Sequence, residues 1–322
     1  MDLALAFYLL TGFAVLMYVV LDGFDLGVGL LLPFARDQDE RDRMIAGIVP
    51  LWDGNETWLV FGGVLLFAAF PAAYATLLPG LYIPLFMMLF GLVLRGVAFE
   101  FRYKTRAARQ LWDWTFTAGS LLAAMGQGFA LGAYIESLPA KGVAALTPFS
   151  LLTAAALTAG YALLGGTWLV MKSHDALQAR ARRWSECALF LVALGLCGVT
   201  VASPLAQPEL VKRWFSLPAV LWLAPLPLAA AGLLMLIHRR LDTGEQAPFY
   251  LSIGVFAVGF IGLVLSHFPY LAPGLTLWQA ASGPKSLAFL GIGVALLLPI
   301  ILGYTAFAYR VFRGKVREGH GY

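Results

Sequence analysis

Apolar residues run along this chain in blocks of roughly twenty, interrupted by short polar clusters. Blocks of that length match a helix crossing the hydrocarbon core of a bilayer. Taken between helix breakers, they predict nine spans near 5–33, 54–78, 80–100, 114–138, 148–172, 185–204, 217–238, 249–271 and 285–310. The widest connections, 102–113 and 173–184, are too short to hold a folded soluble domain. Residues 1–322 therefore read as a single membrane domain, with function in the membrane or at its two faces. The start, Met1-Asp2-Leu3, has no basic region, and its apolar stretch continues to Pro33. It reads as a retained first span rather than a signal peptide.

Charge orients the spans. The odd-numbered connections and the C-terminal tail carry Arg36, Arg41, Arg43, Arg102, Lys104, Arg106, Arg109, Lys172, Arg180, Arg182, Arg183, Arg239, Arg240, Arg310, Arg313, Lys315 and Arg317. The even-numbered connections carry Lys141, Lys212, Arg213 and Lys285. Basic residues accumulate on the cytoplasmic side, so this asymmetry predicts a cytoplasmic C-terminus, an external N-terminus and an odd number of spans. Composition agrees: 60% of residues are hydrophobic, 12% are charged, and the mean hydropathy is +0.80. A net charge of +4 in a soluble protein would point to nucleic acid, but here the basic residues flank spans and that class is excluded. Cys187 and Cys197 share one apolar run and read as buried small hydrophobes.

Small residues at close spacing, Gly23 and Gly27, Gly126, Gly128 and Gly132, Gly165 and Gly166, Gly291 and Gly293, read as helix-packing positions, since close approach drives association in lipid. Pro299 predicts a kink in the last span. Trp112-Asp113-Trp114 and Trp278 fit an interfacial aromatic belt.

Polar residues inside the spans are the candidate chemistry. At 100° per residue, Thr11, Tyr18, Asp22, Asp25 and Gly29 form one stripe of the first span, a face unfit for lipid. The second span opens with Trp52-Asp53-Gly54-Asn55-Glu56, which puts Asp53 and Glu56 on one face. Both acid pairs fall in the cytoplasmic half. Two readings stay open: a chain of proton-accepting carboxyl groups fed from the cytoplasm, or a structural knot paired to Arg95 or to another chain. Arg95, inside the third span with Glu100 just beyond, is a candidate for a structural ion pair. Gln127 is a candidate for interhelical hydrogen bonding. His174, His238, His267 and His320 lie near span ends or in the tail, none paired at helical spacing with another ligand, so neither haem nor metal is expected on this chain.

These segments resemble subunit II of the cytochrome bd-type ubiquinol oxidases. The resemblance rests on Asp22-Gly23-Phe24-Asp25-Leu26-Gly27-Val28-Gly29, Trp52-Asp53-Gly54-Asn55, Arg95-Gly96-Val97-Ala98-Phe99-Glu100-Phe101-Arg102, Trp112-Asp113-Trp114 and Leu275-Thr276-Leu277-Trp278, in that order along nearly the whole chain. Glu56-Thr57 and the compact loops look most like the cyanide-insensitive branch. Gln279 departs from the pattern, where many members carry an acid. The resemblance implies nine transmembrane helices as two four-helix bundles plus one peripheral helix, in a heterodimer with a related subunit I. That partner would hold two b-type haems and one d-type haem and oxidise quinol. The complex would reduce oxygen to water with cytoplasmic protons, in a bacterial cytoplasmic membrane, generating potential without pumping. Small single-helix subunits and a bound lipid or quinone are compatible with it. The acids matching Asp22, Asp25 and Asp53 would belong to a proton path or the subunit contact. The competing class, a proton-coupled secondary transporter, expects repeat symmetry and broken helices, and neither is evident.

Overall fold

The computed structural model describes residues 2–138, 142–208, 212 and 214–316, and it is built almost entirely of helices. Lys141, Arg213, Arg317 and His320 lie outside the described residues. The first helix, α1 (Leu3–Leu31), is capped by Asp2, whose carboxylate accepts from Leu5 N at 3.2 Å. After one 3-10 turn at Leu32–Phe34 comes a short polar helix, α2 (Gln38–Ala46). Asp37 caps it, with Asp39 and Glu40 in its first turn and Arg43 in its last, matching the helix dipole. Then follow α3 (Trp52–Ala69), α4 (Pro71–Lys104), α5 (Arg109–Ser137), α6 (Pro148–Lys172) and α7 (Asp175–Ala206). The chain continues through α8 (Ala219–Leu223), α9 (Pro225–Leu241) and α10 (Ala247–His267). A small antiparallel pair, β1 (Tyr270–Ala272) and β2 (Leu275–Thr276), turns at Gly274, whose φ of 71° suits glycine. Then α11 (Leu277–Ala280) leads into α12 (Pro284–Val311).

Among the described residues eight helical segments are long and apolar enough to cross a membrane, where the sequence predicts nine. The difference lies at α3. The predicted break near Pro79-Gly80 is absent; the chain breaks at Phe70-Pro71 instead, and Pro79 and Pro84 lie inside α4. Pro71 occupies the first helical turn, where its missing N–H costs nothing, while an interior proline is tolerated when neighbouring helices hold the segment. The earlier break leaves α3 only 18 residues, with Asp53, Asn55 and Glu56 at its start. Elsewhere the shifts are smaller: α7 begins ten residues before its predicted span, and the predicted 249–271 span gives up its end to β1.

The helices converge at two ends. At one end Arg180 pairs with Glu40, Arg102 with Asp42 and Asp113, and Lys315 with Glu245, so the odd-numbered connections and the tail share a basic face. Lys172 donates to the carbonyls of Phe312 (2.6 Å) and Gly314 (3.1 Å) there. At the other end the Trp278 indole donates to Asp2 at 2.7 Å, and Ser282 bonds to the carbonyls of Ala68 and Ala69.

Glycines set the tightest crossings. A Cβ on Gly27 would lie 1.8 Å from the Tyr161 carbonyl oxygen, and one on Gly165 would lie 2.2 Å from the carbonyl carbon of Gly27, so α1 and α6 touch backbone to backbone. Gly91 and Gly119 join α4 to α5 in the same way. Gly291 and Gly293, read from sequence as packing positions, instead face open space, because α12 rests on α3 and α1 with little of its surface covered.

Candidate functional site

The polar stripe of α1 is turned inward against α3, α5 and α6, and Asp22 and Asp25 are completely buried. Arg95, from α4, is equally buried, and its Nη2 lies 2.5 Å from Asp22 Oδ1. The same nitrogen pairs with Glu56 of α3, whose side chain is 26% exposed. One guanidinium thus stands among three carboxyl groups. Burying a charge without a partner costs several kcal/mol, about 3–5 when a buried pair is broken, so Arg95 explains why two acids are tolerated at this depth.

Asp25 is served separately. Asn55 Nδ2 donates to Asp25 Oδ2 at 2.7 Å and to the Leu21 carbonyl at 3.1 Å, and Asn55 Oδ1 accepts from the Tyr309 hydroxyl at 2.9 Å. One turn deeper, Gln127 bridges three helices: its Nε2 donates to the Tyr18 hydroxyl at 3.0 Å and its Oε1 accepts from Tyr161 at 2.5 Å. Trp52 stacks on Phe99 with ring centroids 4.9 Å apart, joining the start of α3 to α4 beside the cluster.

The sequence-selected residues therefore divide. Asp22, Asp25, Glu56 and Arg95 come together, with Gln127 one turn away. Asp53 is exposed at the start of α3, and Glu100 is exposed on α4, where it pairs with Lys104 at 3.1 Å rather than with Arg95. Sequence reasoning missed Asn55 as a ligand of Asp25 and missed Tyr309 altogether. A tyrosine near the end of an apolar span looks interfacial until the helix it meets is known.

A second charged group, also missed, ties the basic end. Arg102, 1% exposed, reaches Asp113 Oδ1 at 2.5 Å and Asp42 Oδ1 at 2.7 Å, while Arg109 meets Asp42 at 2.6 Å. Asp113 thus belongs to a buried ion network, although Trp114 beside it is exposed as a belt residue would be. At the opposite end Gln279 completes a capping box with Thr276, accepting from its backbone N–H at 2.9 Å. The amide oxygen does here what an acid's carboxylate would do. The hydrogen bond from the Trp278 indole, helped by that from the Leu5 backbone N–H, holds Asp2 below the ordinary carboxylate range.

The described histidines lie at helix ends. His174 precedes α7, His238 is exposed and 3.9 Å from Glu186, and His267 has Nδ1 2.9 Å from the Leu263 carbonyl of its own helix. Among the described residues there is no group of three or more His, Cys, Asp or Glu placed to hold a metal ion.

A helical body with many apolar spans and a buried carboxyl–guanidinium cluster defines a polytopic membrane protein with ionisable groups held inside the bilayer. The chain belongs to the cytochrome bd terminal oxidase subunit II family, whose family model matches residues 3–312. It is 30% identical to the cytochrome bd-I ubiquinol oxidase subunit 2 of Escherichia coli K12, over 97% of this chain and 94% of that one. It is 31% identical to the cytochrome bd ubiquinol oxidase subunit 2 of Bacillus subtilis 168, over 93% of this chain and 92% of that one. The fold is similar to a chain of the bd oxidase of Geobacillus thermodenitrificans, with a TM-score of 0.79 at 18% identity, covering 97% of this chain and 99% of that one. The chain is thus a subunit of a bacterial respiratory membrane oxidase.

Proposed function

We propose that this chain is the haem-free partner of a haem-bearing subunit I in a quinol:oxygen oxidoreductase, where it scaffolds subunit I and supplies part of a cytoplasmic proton path. The observation that carries this reading is the buried cluster of Asp22, Asp25, Glu56 and Arg95, which holds more carboxyl groups than cations. The exposed Asp53 lies three residues before Glu56 on α3, so acids step from the surface into the cluster. By the family relation, two b-type haems, one d-type haem and quinol oxidation are assigned to subunit I. Small single-helix subunits and a bound lipid or quinone complete the expected assembly. The complex generates membrane potential without pumping.

Nine spans in one membrane domain, arranged as two four-helix bundles and the peripheral α12, are part of this reading, with α3 as the ninth. Its support is that α3 leaves α2 at the basic end and its last carbonyls bond Ser282 at the other. Its 18 residues rise about 27 Å, close to a bilayer core. The basic face lies in the cytoplasm by the positive-inside rule, which places the N-terminus outside.

The test is purification of the complex from its native membrane, with reduced-minus-oxidised spectra and quinol-driven oxygen uptake for Asp25→Asn and Asp53→Asn. Slowed uptake with an unchanged haem spectrum is expected. Normal turnover in both variants refutes the proton path and leaves the acids a structural role, which the Arg95 ion pairs would then fill.

A further inference from the structure

The hydrogen-bond inventory around Asp25 is directional. A primary amide has two protons and one carbonyl oxygen to place, and Asn55 has placed all three. Its two Nδ2 protons go to Asp25 Oδ2 and the Leu21 carbonyl, and its Oδ1 takes the Tyr309 hydroxyl proton. Flipping the amide would set its oxygen against the Leu21 carbonyl oxygen, which can only accept, and would make the Tyr309 hydroxyl turn its proton away and accept instead, so the observed orientation is the favoured one whatever the state of Asp25. Oδ2 is consequently always an acceptor. Oδ1 of Asp25 is buried and accepts no hydrogen bond from the described residues.

We propose that Asn55, locked by Tyr309, is a positioning residue that confines proton exchange at Asp25 to its Oδ1 oxygen. This rests on the proton-path reading above and adds to it the atom that exchanges and the residues that select it. The other groups whose charge reaches Asp25 are Asp22 on the same helix, Glu56 on α3 and Arg95 on α4. None of them supplies a bond that could replace the amide. Tyr309 brings in α12, a helix otherwise open on most of its surface, so the seating of α12 on α3 sets the geometry of a carboxyl group on α1.

The experiment uses the whole complex and compares Tyr309→Phe, Asn55→Leu and Asp25→Asn, singly and with each of the first two placed in the Asp25→Asn background. Three readouts are taken: quinol-driven oxygen uptake, the haem spectrum, and the infrared band of the Asp25 carboxyl group, assigned by its loss in Asp25→Asn. The expected result is that Tyr309→Phe lowers turnover several-fold, leaves the KM for quinol and the haem spectrum unchanged, and shifts the Asp25 band. Neither Tyr309→Phe nor Asn55→Leu should slow Asp25→Asn further, because residues that act through one group are not additive. Should Asn55→Leu fail to assemble, Tyr309→Phe carries the test alone, since it removes a single oxygen. An unmoved band with normal turnover in Tyr309→Phe, or additive losses in the Asp25→Asn background, overturns the inference. Normal turnover in Asp25→Asn itself removes Asp25 from the proton path and overturns the reading this inference rests on instead, so the two failures are told apart.

Discussion

Removing Arg95 tests the most consequential energetic claim made by the structure. Arg95 is fully buried, Asp22 is 1% exposed, and Glu56 is 26% exposed, so Arg95→Leu strands one acid completely and a second largely away from water. Breaking a buried pair by deleting one partner costs about 3–5 kcal/mol, which corresponds to roughly two to four powers of ten in the folding equilibrium. Replacing a whole buried ion group with neutral residues of similar shape is by contrast often neutral or stabilising. Arg95→Leu should therefore destabilise the subunit by about that amount, and adding Asp22→Asn and Glu56→Gln should restore most of the loss. The assay is unfolding of the purified protein by increasing dodecyl sulfate, followed by far-ultraviolet circular dichroism, with the three proteins measured side by side. A single variant with the wild-type midpoint, or a triple variant no better than the single, would refute the reasoning.

Two further outcomes follow from contacts elsewhere. Gly27→Leu should block the α1–α6 crossing, because any side chain begins 1.8 Å from the Tyr161 carbonyl; the readout is loss of assembled complex in the membrane, and normal assembly would sink the claim. At the basic face, Lys315 first and Gln178 next hold Glu245 below the ordinary carboxylate range. A depressed acid gives its contact in full above its unfolded pKa and loses it as pH falls through the folded value. A spin label at Val316 should thus stay immobile at neutral pH and gain mobility only in acid below the usual carboxylate range. Mobility already high at neutral pH would contradict the contact.

Some of this site was legible in the sequence. The inward stripe of α1 follows from helical periodicity, because a carboxylate cannot face lipid whatever packs beside it. Asp22 and Asp25 stand out on that ground, Glu56 by its spacing from Asp53 and Arg95 as a lone charge inside a span, and Arg95 meets Asp22 and Glu56. The pairing was not legible. Glu100 is five residues from Arg95 on the same helix, and only the crossing of α1, α3 and α4 shows that Arg95 turns to Asp22 and Glu56 instead. Asp113 was hidden in the same way, since a Trp-Asp-Trp run at a helix start looks interfacial until Arg102 is brought to 2.5 Å.

The sequence by itself determined the medium, the approximate apolar blocks and the gathering of basic connections at one face, because transfer into lipid is decided residue by residue along the chain. Only the tertiary structure decided where α3 ends, which glycines carry crossings and which are open, and that Tyr309, 254 positions from Asn55, fixes the amide beside Asp25. Those outcomes depend on which helices touch and at what rotation. Packing between distant segments sets both, and hydropathy carries no record of it.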